Sequence, residues 1–105
     1  MVENLTPHEI VVILDETHHV VFPPCGIVAR VSQILSRTGT AAGGIPVFSR
    51  YFGEVENLPE REAGKLLIVS AMVKSAMPDR KDLLSPAELI RDDKGNVIGC
   101  NGFVA

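Results

Sequence analysis

Apolar β-branched residues arrive in short runs, each cut off before it reaches the length of an ordinary helix. Glu9-Ile-Val-Val-Ile-Leu14 is closed by the polar group Asp15-Glu-Thr-His18, and His19-Val-Val-Phe22 follows at hairpin distance. That second run stops at Pro23-Pro24, whose missing N–H groups end any ladder. Runs of this length and composition, bounded by turn-forming residues, read as strands. With 105 residues the chain forms one domain, residues 1–105, and is too short for two cores of ordinary size.

Further along, Gly26-Ile-Val-Ala-Arg-Val31 alternates well enough for a third strand, with Val28 and Arg30 on one face. Ser36 to Gly44 is small and flexible in composition and reads as the longest loop, after which Val47 to Val55 forms a bent strand. Leu66-Leu-Ile-Val-Ser70 suits a central strand, and Ala71 to Met77 lacks breakers and makes one or two helical turns before Pro78. Glu88 to Asp92 and Asn96 to Gly99 flank Asp93-Lys94-Gly95, where the glycine supplies the positive φ of a hairpin turn. Ser85-Pro-Ala-Glu88 also matches a capping box; turn-then-strand is preferred because the hairpin pattern follows directly. The expected fold is α+β: a mostly antiparallel β-sheet or small, partly open barrel, one short helix around residues 70–77 and a C-terminal β-hairpin.

Composition excludes several functions. Ten Lys and Arg against thirteen Asp and Glu leave a net charge of −3, which offers no general field for a nucleic-acid polymer. The longest apolar stretch, Leu66 to Val73, falls far short of the roughly 20 residues that span a bilayer, so no membrane partner is expected. Residues 1–14 lack a basic n-region, and a cytoplasmic location is expected. Cys25 and Cys100 then read as reduced thiols rather than a disulfide. No pair among the three His and two Cys has zinc-knuckle spacing, so no metal and no cofactor are expected.

No diagnostic catalytic motif is present. Ser70 lies where a strand meets a helix but lacks G-x-S-x-G spacing, and an N-cap role is favoured over nucleophilic work. His8 reads as an anchor for the N-terminal turn rather than a general base. The densest polar group is Asp79-Arg-Lys-Asp82, followed by Ser85 and Arg91-Asp92. Its arginines either pair with the acids or present a planar fork to a carboxylate or phosphate. Arg50 beside Tyr51 and Phe52 suits stacking, and equally a solvated strand. The amides after Ser70 and the loop Thr38 to Gly44 add weak anion-binding potential, without the Gly-Lys-Ser/Thr of a phosphate loop.

Asn4-Leu-Thr-Pro-His8, Pro24-x-Gly26-x-x-Ala29-Arg30-Val31, Ile45-Pro46-Val47, Gly53-x-Val55-x-x-Leu58-Pro59, Ile68-Val69-Ser70, Arg80-x-Asp82-Leu83-x-x-Pro86 and Arg91-Asp92-x-x-Gly95 together resemble a family of small uncharacterised proteins of bacteria and their phages. The resemblance covers nearly the whole chain and carries no settled activity. It implies an accessory factor that binds rather than turns over, with anti-defence among the open roles, acting in the host cytoplasm if phage-encoded. Cys25 stands where a small residue such as Ser is expected.

The leading expectation is therefore a protein that binds an anionic small molecule, a nucleotide-like signal for instance, without turnover, through Arg30, Arg50, Ser70, Arg80, Asp82 and Arg91. One alternative is a small hydrolase or transferase using Ser70 or His8 with Asp82. Another is an interaction or structural module. Ile34, Leu35, Phe48, Phe52 and Phe103 exceed what one small core hides, and predict a homo-oligomer, most simply a dimer.

Overall fold

A computed structural model describes residues 1–105. Half of them are strand. The first hairpin pairs β2 (Ile10–Ile13) with β3 (His19–Phe22) in antiparallel register, Val11 opposite Val21. A short β1 (Val2–Asn4) precedes it, a strand too brief to leave a periodic signal in the sequence. The long antiparallel pair β4 (Arg30–Thr40) and β5 (Pro46–Glu56) follows, then β6 (Leu66–Ile68), helix α1 (Ala71–Ala76), β7 (Leu83–Arg91) and β8 (Val97–Val104).

Six strands form one sheet in the order β1-β6-β7-β8-β2-β3. Its two outer strands come together at one end: Asn4 bridges to Pro24, and the Cys25 amide donates to the Asn4 carbonyl at 2.9 Å. The sheet is thereby rolled into a nearly closed barrel. Asn4, 2% exposed, holds that seam with its side chain as well. Its Nδ2 donates to the carbonyls of His8 and Phe22, both at 2.8 Å, and its Oδ1 accepts from the Thr6 amide and hydroxyl. All four hydrogen-bonding capacities of the amide are used, which is the condition under which a buried polar side chain stabilises a fold.

The apolar core sits against β1, β6 and β7. Leu5, Ala29, Leu67, Val69, Val73 and Leu83 are buried together, with Val31, Val55, Leu58 and Met77 packed around them. Helix α1 closes this side. Ser70 is its N-cap, its hydroxyl oxygen accepting from the Val73 amide at 3.2 Å, and Val73 is the helix's buried residue. Pro78 follows the C-terminal turn, as its missing N–H requires.

Three expectations need correction. Gly26 to Ala29 is not strand: Gly26 turns the chain at φ 98°, and the Cys25 and Ala29 amides donate to Asn4 and Leu5 instead of to a ladder partner. The expected loop from Ser36 to Gly44 is mostly strand, because β4 runs through to Thr40 and only the turn before Pro46 remains, with positive φ at Gly43 and Gly44. Phe103 is not a surface residue: it packs edge-to-face on Phe22 at 5.7 Å and is half-buried. Ser85 and Pro86 lie in β7, not in a helix. Pro86 lies opposite Phe103 of β8, past the point at Leu84 where the ladder to β6 ends. No helix is long and apolar enough to cross a membrane.

Candidate functional site

Arg80 and Asp82 form the most strongly built polar contact in the protein. Arg80 Nε and Nη2 donate to the two Asp82 oxygens, each at 2.8 Å, and Nη2 also donates to the Pro59 carbonyl at 3.0 Å. The aspartate is 3% exposed. This fork binds the loop after α1 to the loop after β5, 21 residues away in sequence. The guanidinium hydrogen bond holds the Asp82 carboxyl below its ordinary range, and the same bond raises Arg80 further. The Nε–Nη2 edge of Arg80 and both Asp82 oxygens are occupied by this pairing, so a ligand would have to compete with it for them.

The other expected site residues are dispersed. Arg91 lies at the end of the C-terminal hairpin, where Nη1 donates to the Gly95 carbonyl at 2.9 Å. Asp92 accepts from the amides of Lys94 and Asn96 and so shapes its own turn rather than pairing with Arg80. Arg50 stands on β5 opposite Leu35, away from the helix. Arg30 and Ser70 do come together, lining a concavity of about 270 Å³ with Pro7, Val28, Ala29, Val31 and Met72. It offers one cation on an apolar wall. No hydrogen bond joins His8, Ser70 and Asp82: the Ser70 oxygen caps α1, the His8 ring is exposed and makes no hydrogen bond, and Asp82 is held by Arg80. The amides after Ser70 belong to a helix of six residues whose third amide is already capped; of the loop Thr38 to Gly44, residues 38–40 are in strand β4, and the Ala41 and Gly44 amides donate to the Ile45 and Ala41 carbonyls within the turn.

A second concavity, of about 330 Å³, gathers cations that local spacing does not relate. Arg61, Lys65 and Lys81 line it with Glu62, Ala63, Gly64, Leu66 and Asp82. It lies between the two loops that the Arg80–Asp82 fork ties together. Lys65 is shared by Glu3 at 3.2 Å and Glu62 at 3.8 Å. Lys81 reaches only the Pro78 carbonyl, at 3.4 Å, and no carboxylate lies within ion-pair distance of Arg61 or Lys81. Gly64, at φ 76°, turns the chain here, and its carbonyl accepts from the N-terminal ammonium at 3.0 Å. Asp82 is the one expected site residue that this concavity contains, and it serves as wall.

Compared with family models, curated proteins and solved structures, the chain matches none.

Proposed function

We propose that the protein binds a small anionic molecule, without turnover, in the concavity lined by Arg61, Lys65 and Lys81. The observation that carries this reading is the pair of unpaired cations, Arg61 and Lys81, facing one hollow beside a third. Its volume of about 330 Å³ lies at the lower end of the range that holds small ligands. A guanidinium and an ammonium together suit a phosphate or a nucleotide-like diphosphate: the first forks onto two oxygens, the second acts as a point charge. The concavity of Arg30 and Ser70 has one cation and is the weaker host. Binding is favoured over catalysis because Ser70 is engaged as the helix cap and Asp82 by Arg80, and no hydrogen bond links either of them to His8. The accessory role implied by the motif resemblance agrees with it.

Isothermal titration with nucleoside diphosphates, nucleoside triphosphates and inorganic pyrophosphate is the direct trial. Heat of binding is expected at low salt, weakening as salt is raised. Arg61→Ala and Lys81→Ala are each expected to weaken it about tenfold, the effect of losing a charge-assisted contact of about 1.5 kcal/mol, while Arg30→Ala leaves it unchanged. No heat at high micromolar protein, or binding lost only in Arg30→Ala, overturns the assignment.

A further inference from the structure

The β4–β5 hairpin is an arm. At its base Val31 and Val55 pair across the strands and pack on the core. Beyond them the same face carries Phe52 opposite Gln33, Leu35 opposite Arg50 and Phe48 opposite Arg37, with nothing covering it: Leu35 is 60% exposed and Phe48 54%. The opposite face bears Ile34 and Tyr51, equally bare. A two-stranded hairpin exposed on both faces is at best marginally stable in water. The arm also shapes the molecule, whose radius of gyration is 17.0 Å where a compact chain of this length has about 13 Å.

Surface area gives the size of what is missing. The chain exposes 7245 Å². A compact monomer of its mass exposes about 5,700 Å², so the excess is about 1,500 Å². Obligate dimers bury about 1,000–2,500 Å² on each copy, and the excess falls inside that range. Charge indicates where the arm goes. Residues 33–52 contain Arg37 and Arg50 and no acid, a charge of +2, which leaves −5 on the rest of a chain whose net charge is −3. Two arms stacked face to face would repel; an arm laid on the body of a second copy would not. The body has a matching groove, lined by Ile10, Leu89, Val97 and Ile98 with Glu9 among them, and Leu89, Val97 and Ile98 are each about half exposed.

We infer that two copies of this chain form a reciprocal dimer in which the Phe48–Phe52 face of each arm lies in the Leu89–Ile98 groove of the other. A two-fold axis relates the two contacts and closes the assembly at two. The arm lacks cover in every copy, so its partner must be present whenever the chain is folded, and another copy meets that condition. The pairing stands independently of the anion site, whose residues lie outside both surfaces.

Sedimentation equilibrium at micromolar concentration is expected to give twice the chain mass of 11.3 kDa. Phe48→Asp in the arm and Leu89→Asp in the groove are each expected to raise the dissociation constant about 30-fold or more, the effect of losing an interface hot spot. Far-UV circular dichroism checks that each variant is folded. On the wild-type chain, hydrogen exchange is expected to show protection that grows with protein concentration in residues 33–52 and 86–100 together, a readout that needs no variant. A wild-type monomer overturns the proposal. So does a dimer indifferent to either substitution, or concentration-dependent protection confined to one of the two segments.

Discussion

Asp82 is nearly inaccessible to water, and its charge is tolerated because Arg80 takes both oxygens. Removing one member of such a pair strands the other, which costs about 3 kcal/mol; Asp82→Asn is expected to lose about that much at neutral pH. The pair also sets a pH dependence. The folded Asp82 carboxyl titrates below its unfolded value of about 3.9. In acid the unfolded chain therefore binds more protons than the folded one. The contribution is complete above about pH 5 and is lost as pH falls through the folded value. Urea midpoints taken from neutral pH to about pH 3 are expected to converge for wild type and Asp82→Asn. Asp15 and Asp92 are also lowered, first by turn amides of Thr17 and Asn96, but both proteins share them and the difference removes them. A constant gap across the range would show that the pair does not titrate as described. The short spacing of Arg80 and Asp82 made their pairing legible in the sequence. Their reach to Pro59 was not, and neither was the meeting of Arg61 and Lys65 with Lys81, because both depend on which loops the sheet brings together.

Strand β8 runs beside β2, and Gly99 lies where β2 leaves no room for a side chain. A Cβ there would lie 2.8 Å from Ile13 Cδ1 and 3.0 Å from the Val11 carbonyl oxygen. Gly99→Ala is therefore expected to cost about 1–3 kcal/mol, the usual effect of overpacking. Adding Ile13→Val removes the nearest atom and is expected to recover part of this, with Cγ1 of the same side chain, 3.1 Å away, and the backbone oxygen retaining the remainder. Equal urea midpoints for Gly99→Ala and wild type would mean the two strands separate freely. The β2–β3 and β7–β8 hairpins were readable because each joins apolar runs through a polar turn, and Asp92 and Gly95 carry the second turn as their residue types suggest. The second strand of the arm was readable, from Val47 to Val55, but the first was not readable beyond Val31. A strand bare on both faces needs no alternation of apolar and polar residues, so Ser36 to Thr40 keeps the composition of a loop while pairing with β5.

The sheet mixes antiparallel hairpins with parallel ladders between segments far apart in sequence: β1 on β6, β6 on β7 and β2 on β8. Those ladders fix the strand order, and nothing local encodes them. They also determine how accessible the two thiols are. Cys25 is exposed beside the seam where Asn4 joins the two outer strands, whereas Cys100, 2% exposed, lies opposite Val12 between β8 and β2. A thiol reagent is therefore expected to modify one site per native chain at once and the second only slowly until denaturant is added; two immediate sites would contradict the β2–β8 contact. The same asymmetry makes the molecule its own clock. With Cys25 blocked, each remaining reaction records one moment when the barrel has parted far enough to admit a small electrophile, so the slow labelling of Cys100 measures the breathing of the wall under conditions in which the folded form prevails.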